Sequence, residues 1–194
     1  MLQRICVYCG SSPGRKKEYT EIAQTLGTIL ADRNIELIYG GASVGMMGAL
    51  ADAVLQEGGK VTGIIPDNLM RKEVAHDGLT DLQVVASMHE RKAQMAELSD
   101  GFIALPGGFG TMEELFEMLT WGQLGLHRKP IGMLKISGYY HHLSTFLDHT
   151  VKEGFVKENH RSMLIVKENP KELLEQLDKY ESPVVEKWID RDST

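Results

Sequence analysis

Two stretches of the sequence hold charged side chains where helix chemistry alone does not ask for them. Thr111-Met112-Glu113-Glu114 sets two carboxylates at the start of a helical run, directly after the glycine-rich segment Pro106-Gly107-Gly108-Phe109-Gly110. One acid in a first turn is ordinary, because it favours the helix dipole and caps free N–H groups. The second, Glu114, falls about one turn from the glycines and so beside whatever they hold. Met88-His89-Glu90-Arg91-Lys92 begins another helical run with two cations, where the dipole disfavours them. Arg91 and Lys92 therefore call for a partner, either a carboxylate or an anionic ligand.

Glycine supplies the other half of the chemistry. Cys9-Gly10-Ser11-Ser12, Gly40-Gly41-Ala42-Ser43-Val44-Gly45 and Pro106-Gly107-Gly108-Phe109-Gly110-Thr111 each separate a strand-like run from a helix-like one. Glycine there lets backbone N–H groups come close to an anion, and the following helix start adds unsatisfied donors and partial positive charge. One such loop is explained by a tight turn. Three on one sheet edge point to a nucleotide or sugar phosphate. The spacing is neither GxGxxG nor GxxxxGK[ST], so a dinucleotide fingerprint and an ATP-hydrolysing P-loop are both unsupported.

Cysteine and histidine offer less. Cys6 and Cys9 form a CxxC, but no second pair and no helix start follow, and Cys6 lies within the apolar run Ile5-Cys6-Val7-Tyr8; both read as structural thiols. The seven histidines include the adjacent His141-His142, which splay apart on a helix, and His149 and His160, which lack carboxylates at ligand spacing. No metal and no cofactor are expected.

These residues need a frame. β-Branched and aromatic runs at Arg4–Tyr8, Glu36–Tyr39, Lys60–Ile65, Leu82–Val85, Gly101–Leu105, Ile131–Ile136 and Leu164–Val166 read as strands. Helical spacing fills Lys17–Arg33, Gly45–Gln56, Met88–Ser99, Thr111–Leu124, Tyr140–Glu153 and Lys171–Tyr180, while Asp67–Thr80 reads as a polar loop with room for a short helix. Strands alternating with helices imply crossover connections. The expectation is one α/β domain over residues 1–180, a Rossmann-like doubly wound parallel sheet with helices on both faces, followed by a tail over 181–194.

Composition narrows the function. The chain has 194 residues, 21 basic against 27 acidic, for a net charge of −6. That balance argues against backbone binding of nucleic acid, which needs a basic face. No stretch reaches the roughly 20 apolar residues of a membrane span, and the start MLQRICVYCGSS carries no secretory pattern. A soluble cytoplasmic protein, bound to neither membrane nor nucleic acid, is expected.

Met88-His89-Glu90-Arg91-Lys92 and Pro106-Gly107-Gly108-Phe109-Gly110-Thr111-Met112-Glu113-Glu114 together resemble the double signature of the Lonely Guy (LOG) family. These are phosphoribohydrolases that release the base from nucleoside 5′-monophosphates, cytokinin ribotides among them. The resemblance extends from Ile5 to about Glu168. It implies that Arg91 and Glu114 are the catalytic pair. It assigns to the nucleotide Glu73, Lys92, the loop Gly108, Phe109, Gly110 and Thr111 with the adjoining Met112 and Glu113, and also Thr120. The segment Gly40–Gly48, with Gly41 and Gly45, and Ser12 of the first loop would help seat the phosphate. Ala42 departs from the pattern, since many relatives have a third consecutive glycine there. The resemblance further implies a homodimer with the site near its interface. Relatives have also carried the label lysine decarboxylase, which no residue here supports.

Breaking a ribosyl N–C bond builds positive charge on the sugar and negative charge on the base. A carboxylate at the anomeric carbon stabilises that state and can orient or deprotonate water, a task for Glu114. Arg91 is suited to phosphate, to sugar hydroxyls or to orienting Glu114. The base is adenine or an N6-prenylated adenine. The competing reading, a non-catalytic nucleotide sensor, has no need of Glu114; a single-strand DNA-binding relative would need a basic aromatic stripe that is missing.

Overall fold

Runs such as Arg4–Tyr8 and Ile131–Leu134 alternate side chains between two apolar environments, so they are stable only with helices above and below them. The computed structural model, which describes residues 2–70 and 75–183, satisfies this with seven strands. In chain order the elements are β1 (Arg4–Tyr8), α1 (Lys17–Asp32), β2 (Glu36–Tyr39), α2 (Gly45–Gln56), β3 (Val61–Pro66), α3 (Asp67–Met70), β4 (Asp81–Val85) and α4 (Met88–Leu98). They continue with β5 (Gly101–Ala104), α5 (Phe109–Gln123), β6 (Ile131–Leu134), α6 (His141–Lys152), α7 (Glu158–Arg161), β7 (Leu164–Lys167) and α8 (Pro170–Asp178).

All pairings are parallel, in the order β4-β3-β2-β1-β5-β6-β7. On one face Ile5, Val7, Leu37, Tyr39 and Ile103 pack with α1, α2 and α8 through Leu26, Leu30, Leu50 and Leu173. On the other, Cys6, Tyr8, Ile38 and Phe102 pack with α4, α5 and α6 through Met95, Leu115, Met118 and Leu147. This is the doubly wound α/β architecture expected from the alternation. No described helix is long and apolar enough to cross a membrane.

Two departures matter. Helix α5 starts at Phe109, two residues before the expected Thr111, with Gly108 as its N-cap. Low helix propensity hid Phe109 and Gly110, whose backbone is already helical. The short α7 had no predicted counterpart. Of the expected C-terminal tail, the residues from 184 onward lie outside the described residues.

Candidate active site

Strand order reverses at β1. Its neighbours are β2, reached by α1, and β5, which enters from the far side of the sheet. The loops leaving β1 and β5 therefore diverge to opposite faces, which opens a crevice beyond their carboxyl ends. Their bases stay joined: Leu105 N–H donates to Tyr8 O at 2.9 Å and Gly10 N–H to Pro106 O at 3.0 Å.

A cavity of about 260 Å³ occupies this crevice, lined by Arg91, Glu114, Gly108, Phe109, Gly110 and Thr111 together with Cys9, Gly10, Ser11, Met47 and Met88. A second, of about 280 Å³, shares Gly10, Ser11 and Gly108 with it and adds Ser12, Tyr19, Met46 and Tyr139.

Ser87 starts α4 by accepting the Glu90 N–H at 3.1 Å, which sets Arg91 in the first turn. Arg91 is 6% exposed, and its Nη2 donates to Gly40 O at 3.2 Å. A Cβ on Gly40 would fall 1.9 Å from that nitrogen, so any other residue at this β2 end would force the guanidinium to shift. Glu114 is half-buried on α5 and faces the same cavity.

Helix α5 opens with Met112 N–H donating to Gly108 O at 3.1 Å. The N–H groups of Phe109, Gly110 and Thr111 precede this first helical bond and point out of the helix start. Gly108 and Gly110 differ from every other described glycine. Neither has a positive φ, and a Cβ on either would meet nothing within 4 Å, whereas each of the others has one constraint or the other. Nothing among the described residues demands that these positions be bare. Their missing side chains leave space at a cluster of free donors.

Of the Gly40–Gly48 segment, Met47 lines the cavity, whereas Gly41 and Gly45 are not among its described lining. Gly45, at φ +60°, backs directly onto Ser11, and Met46 N–H donates to Gly10 O at 3.1 Å. Gly41 packs on Ile65 and Leu82. Through Gly45 and Met46 this second glycine loop buttresses the first. Ala42 is buried, bridges to Ala75 and is not among the residues with positive φ, so the departure from glycine costs the backbone nothing.

Lys92 turns away from the cavity. Its ammonium donates to Glu113 Oε1 and, at 3.0 Å, to Glu117 Oε1. Burial is the largest influence on its pKa and lowers it, but the bonds and charges of the two glutamates outweigh burial and leave it raised. Met112 packs against the core. Thr120 lies further along α5 in a different groove, where its hydroxyl donates to Phe116 O at 2.7 Å. Glu73 lies outside the described residues.

Sequence reasoning missed two tyrosines. Tyr139 donates to Gly107 O at 2.6 Å and Tyr140 to Leu105 O at 2.5 Å, so consecutive side chains ahead of α6 pin both sides of Pro106. Their signal was the Tyr-Tyr pair following Gly138, which looked like the beginning of an ordinary helix. Cys6 and Cys9 are both unpaired and pack in the two different cores; burial pushes each thiol far up, away from thiolate chemistry. Among the described residues, no three His, Cys, Asp or Glu side chains are grouped to hold a metal.

This chain is 51% identical over 179 residues to the cytokinin riboside 5′-monophosphate phosphoribohydrolase LOG7 of Arabidopsis thaliana, covering 92% of this chain and 82% of the relative. The chain belongs to the Lonely Guy family. Another Lonely Guy relative, the probable phosphoribohydrolase LOGL2 of Oryza sativa subsp. japonica, is 48% identical over 189 residues, or 97% of this chain and 77% of its own. Residues 47–177 match the family model described as possible lysine decarboxylase. Among solved structures, a molybdenum cofactor carrier protein of Chlamydomonas reinhardtii superposes with a TM-score of 0.70 at 20% identity, covering 93% of this chain and all of the other. At that identity the likeness is one of fold.

Proposed function

We propose that this Lonely Guy protein hydrolyses the N-glycosidic bond of purine nucleoside 5′-monophosphates, AMP or N6-prenylated ribotides, releasing the base and ribose 5-phosphate. The observation that carries the reading is one cavity in which Arg91 and Glu114 meet the open, side-chain-free helix start at Gly108 and Gly110. The names of relatives near 50% identity supply the substrate class.

In this mechanism the phosphate takes the N–H groups of Phe109, Gly110 and Thr111, aided by the dipole of α5. Anchoring it holds the ribose against Glu114, so phosphate binding serves to position the reacting carbon. The Glu114 carboxylate stabilises the oxocarbenium ion and directs water to the anomeric carbon. Arg91, a permanent buried cation, serves the sugar phosphate or keeps Glu114 aimed. The route asks for no covalent enzyme intermediate and no cofactor. We place it in the cytoplasm, where two unpaired thiols are ordinary.

Purified protein incubated with AMP releases free adenine by chromatography, and with adenosine releases far less. Equal rates on the two compounds would overturn the phosphate anchor.

The working unit is proposed to be a homodimer packed on α5. Thr120 sits in an apolar groove of about 230 Å³ with Phe116, Leu119, Leu147, Val156 and Leu164, and the neighbouring Leu126 is 67% exposed. Packing a second copy here covers that groove and gives Thr120 a route to a nucleotide that it lacks within its own chain. Light scattering at assay concentration reads a dimer; a fully active monomer removes the idea.

A further inference from the structure

Helices α4 and α5 carry the two side chains of the proposed chemistry, yet both pack more on the sheet than on each other. Something must fix their relative roll. Lys92 follows Arg91 on α4, and its side chain is only 10% exposed. It reaches across to Glu113 and Glu117. These two glutamates are four residues apart and stack on one stripe of α5. That stripe lies about 60–100° around the helix from Glu114. The cation beside Arg91 thus holds the carboxylates beside Glu114.

We infer that Lys92 is a positioning residue, whose grip on Glu113 and Glu117 fixes Glu114 relative to Arg91. The inference rests on the hydrolysis proposed above. Three observations support it. The ammonium of Lys92 is already committed to two carboxylates and does not line the cavity. Glu117 is 23% exposed and its Oε2 is buried with no hydrogen-bond partner among the described residues, where Lys92 is the cation paired with it and makes its burial tolerable. Finally, the Lys92 side chain is only 10% exposed although it stands on the fifth residue of α4, a burial that its own helix does not explain.

The test compares Lys92→Met, Lys92→Arg, Glu117→Gln and the pair Lys92→Met/Glu117→Gln in AMP hydrolysis, at a temperature where circular dichroism shows each folded. Small misplacements of reacting groups cost up to about 10²-fold. Lys92→Met is therefore expected to lower kcat by roughly 10- to 100-fold and to leave KM within about 3-fold. Glu117→Gln follows in the same direction, the double variant falls little below Lys92→Met, and Lys92→Arg retains most of the rate. A raised KM with unchanged kcat in Lys92→Met would instead put the ammonium on the nucleotide and overturn the inference. So would a parent-like kcat in that variant, or a loss in Lys92→Met with none in Glu117→Gln. If the parent protein hydrolyses AMP and Glu114→Gln does not, these failures strike Lys92 alone; a parent that releases base from neither AMP nor an N6-prenylated ribotide overturns both readings.

Discussion

Both ends of the sheet carry a cleft, and the larger single cavity lies at the end away from Arg91 and Glu114. At the amino ends of the strands, about 530 Å³ opens among Gln3, Arg4, Asn34, Glu36, Gly58, Gly59 and Lys60, against about 260 Å³ around Arg91 and Glu114. The difference lies in what faces the space. Helices α1 and α2 finish toward the amino end, at Asp32 and Gln56, presenting carbonyls and partial negative charge. Polar groups there fasten the fold: Asp100 Oδ2 accepts the Gln3 and Arg4 N–H groups at 2.8 and 2.9 Å, and Glu36 accepts the Thr62 hydroxyl at 2.7 Å. At the carboxyl end a helix starts, two glycines are bare without cause among the described residues, and an arginine is buried. Volume is a poor guide; the direction of the peptide dipoles and the burial of charge are better ones.

Substitutions at each end put this contrast to the test. The largest effect is expected from Glu114→Gln, which keeps size and removes charge; AMP turnover should fall by roughly 10²-fold or more with nucleotide affinity much less affected. Parent-like turnover would show that the carboxylate is not part of the chemistry. A smaller effect is expected from Gly110→Ala. Among the described residues the added methyl meets no protein atom, and alanine favours helix by up to about 1 kcal/mol over glycine, so the melting temperature should hold or rise. Nucleotide affinity should nevertheless drop, by roughly 10-fold if the methyl forces the phosphate back from the donors. A stabilised protein with unchanged KM would mean that Gly110 is bare for no functional reason. Lys60→Ala, in the larger cleft, is expected to leave hydrolysis unchanged, since exposed substitutions away from a site have little effect. A clear loss of turnover there would reverse the ranking of the two ends.

Much of the carboxyl-end site is legible in the residues themselves. Alternating strands and helices dictate the sheet, and the signatures around Arg91 and Glu114 bring both side chains to one cavity. What stays hidden depends on direction rather than type. Lys92 reads as a ligand-binding cation because its neighbour is one, but successive helical residues diverge by about 100°, and its partners Glu113 and Glu117 come from a helix 21 and 25 residues away. Gly41 and Gly45 read like Gly108 and Gly110, yet a Cβ on Gly41 would meet Ile65 and Leu82 and one on Gly45 would meet Ser11, while one on Gly108 or Gly110 would meet nothing among the described residues. Local spacing does not separate these cases, because the distinction lies in what a Cβ would touch. Tyr139 and Tyr140 were invisible for a similar reason: their hydroxyls serve carbonyls more than 30 residues earlier.

The strand order also sets a timetable. Strands β1 to β4 are contiguous in the chain and pair in sequence, so they can assemble before β5 exists. Until then β1 is an edge strand, and the groups of Ile5 to Tyr8 that later meet Gly101 to Ala104 have no neighbour. Edges of this kind invite pairing with other chains, and parallel pairing is slow to form. During synthesis at about 5–20 residues per second, this apolar edge waits for several seconds before its natural partner is made. Docking β5 covers it and in the same event brings the start of α5, with Glu114, to the end of β1. Protection of this edge and assembly of the cavity around Arg91 and Glu114 therefore arrive together, so the first appearance of activity in a refolding experiment cannot precede closure of the sheet.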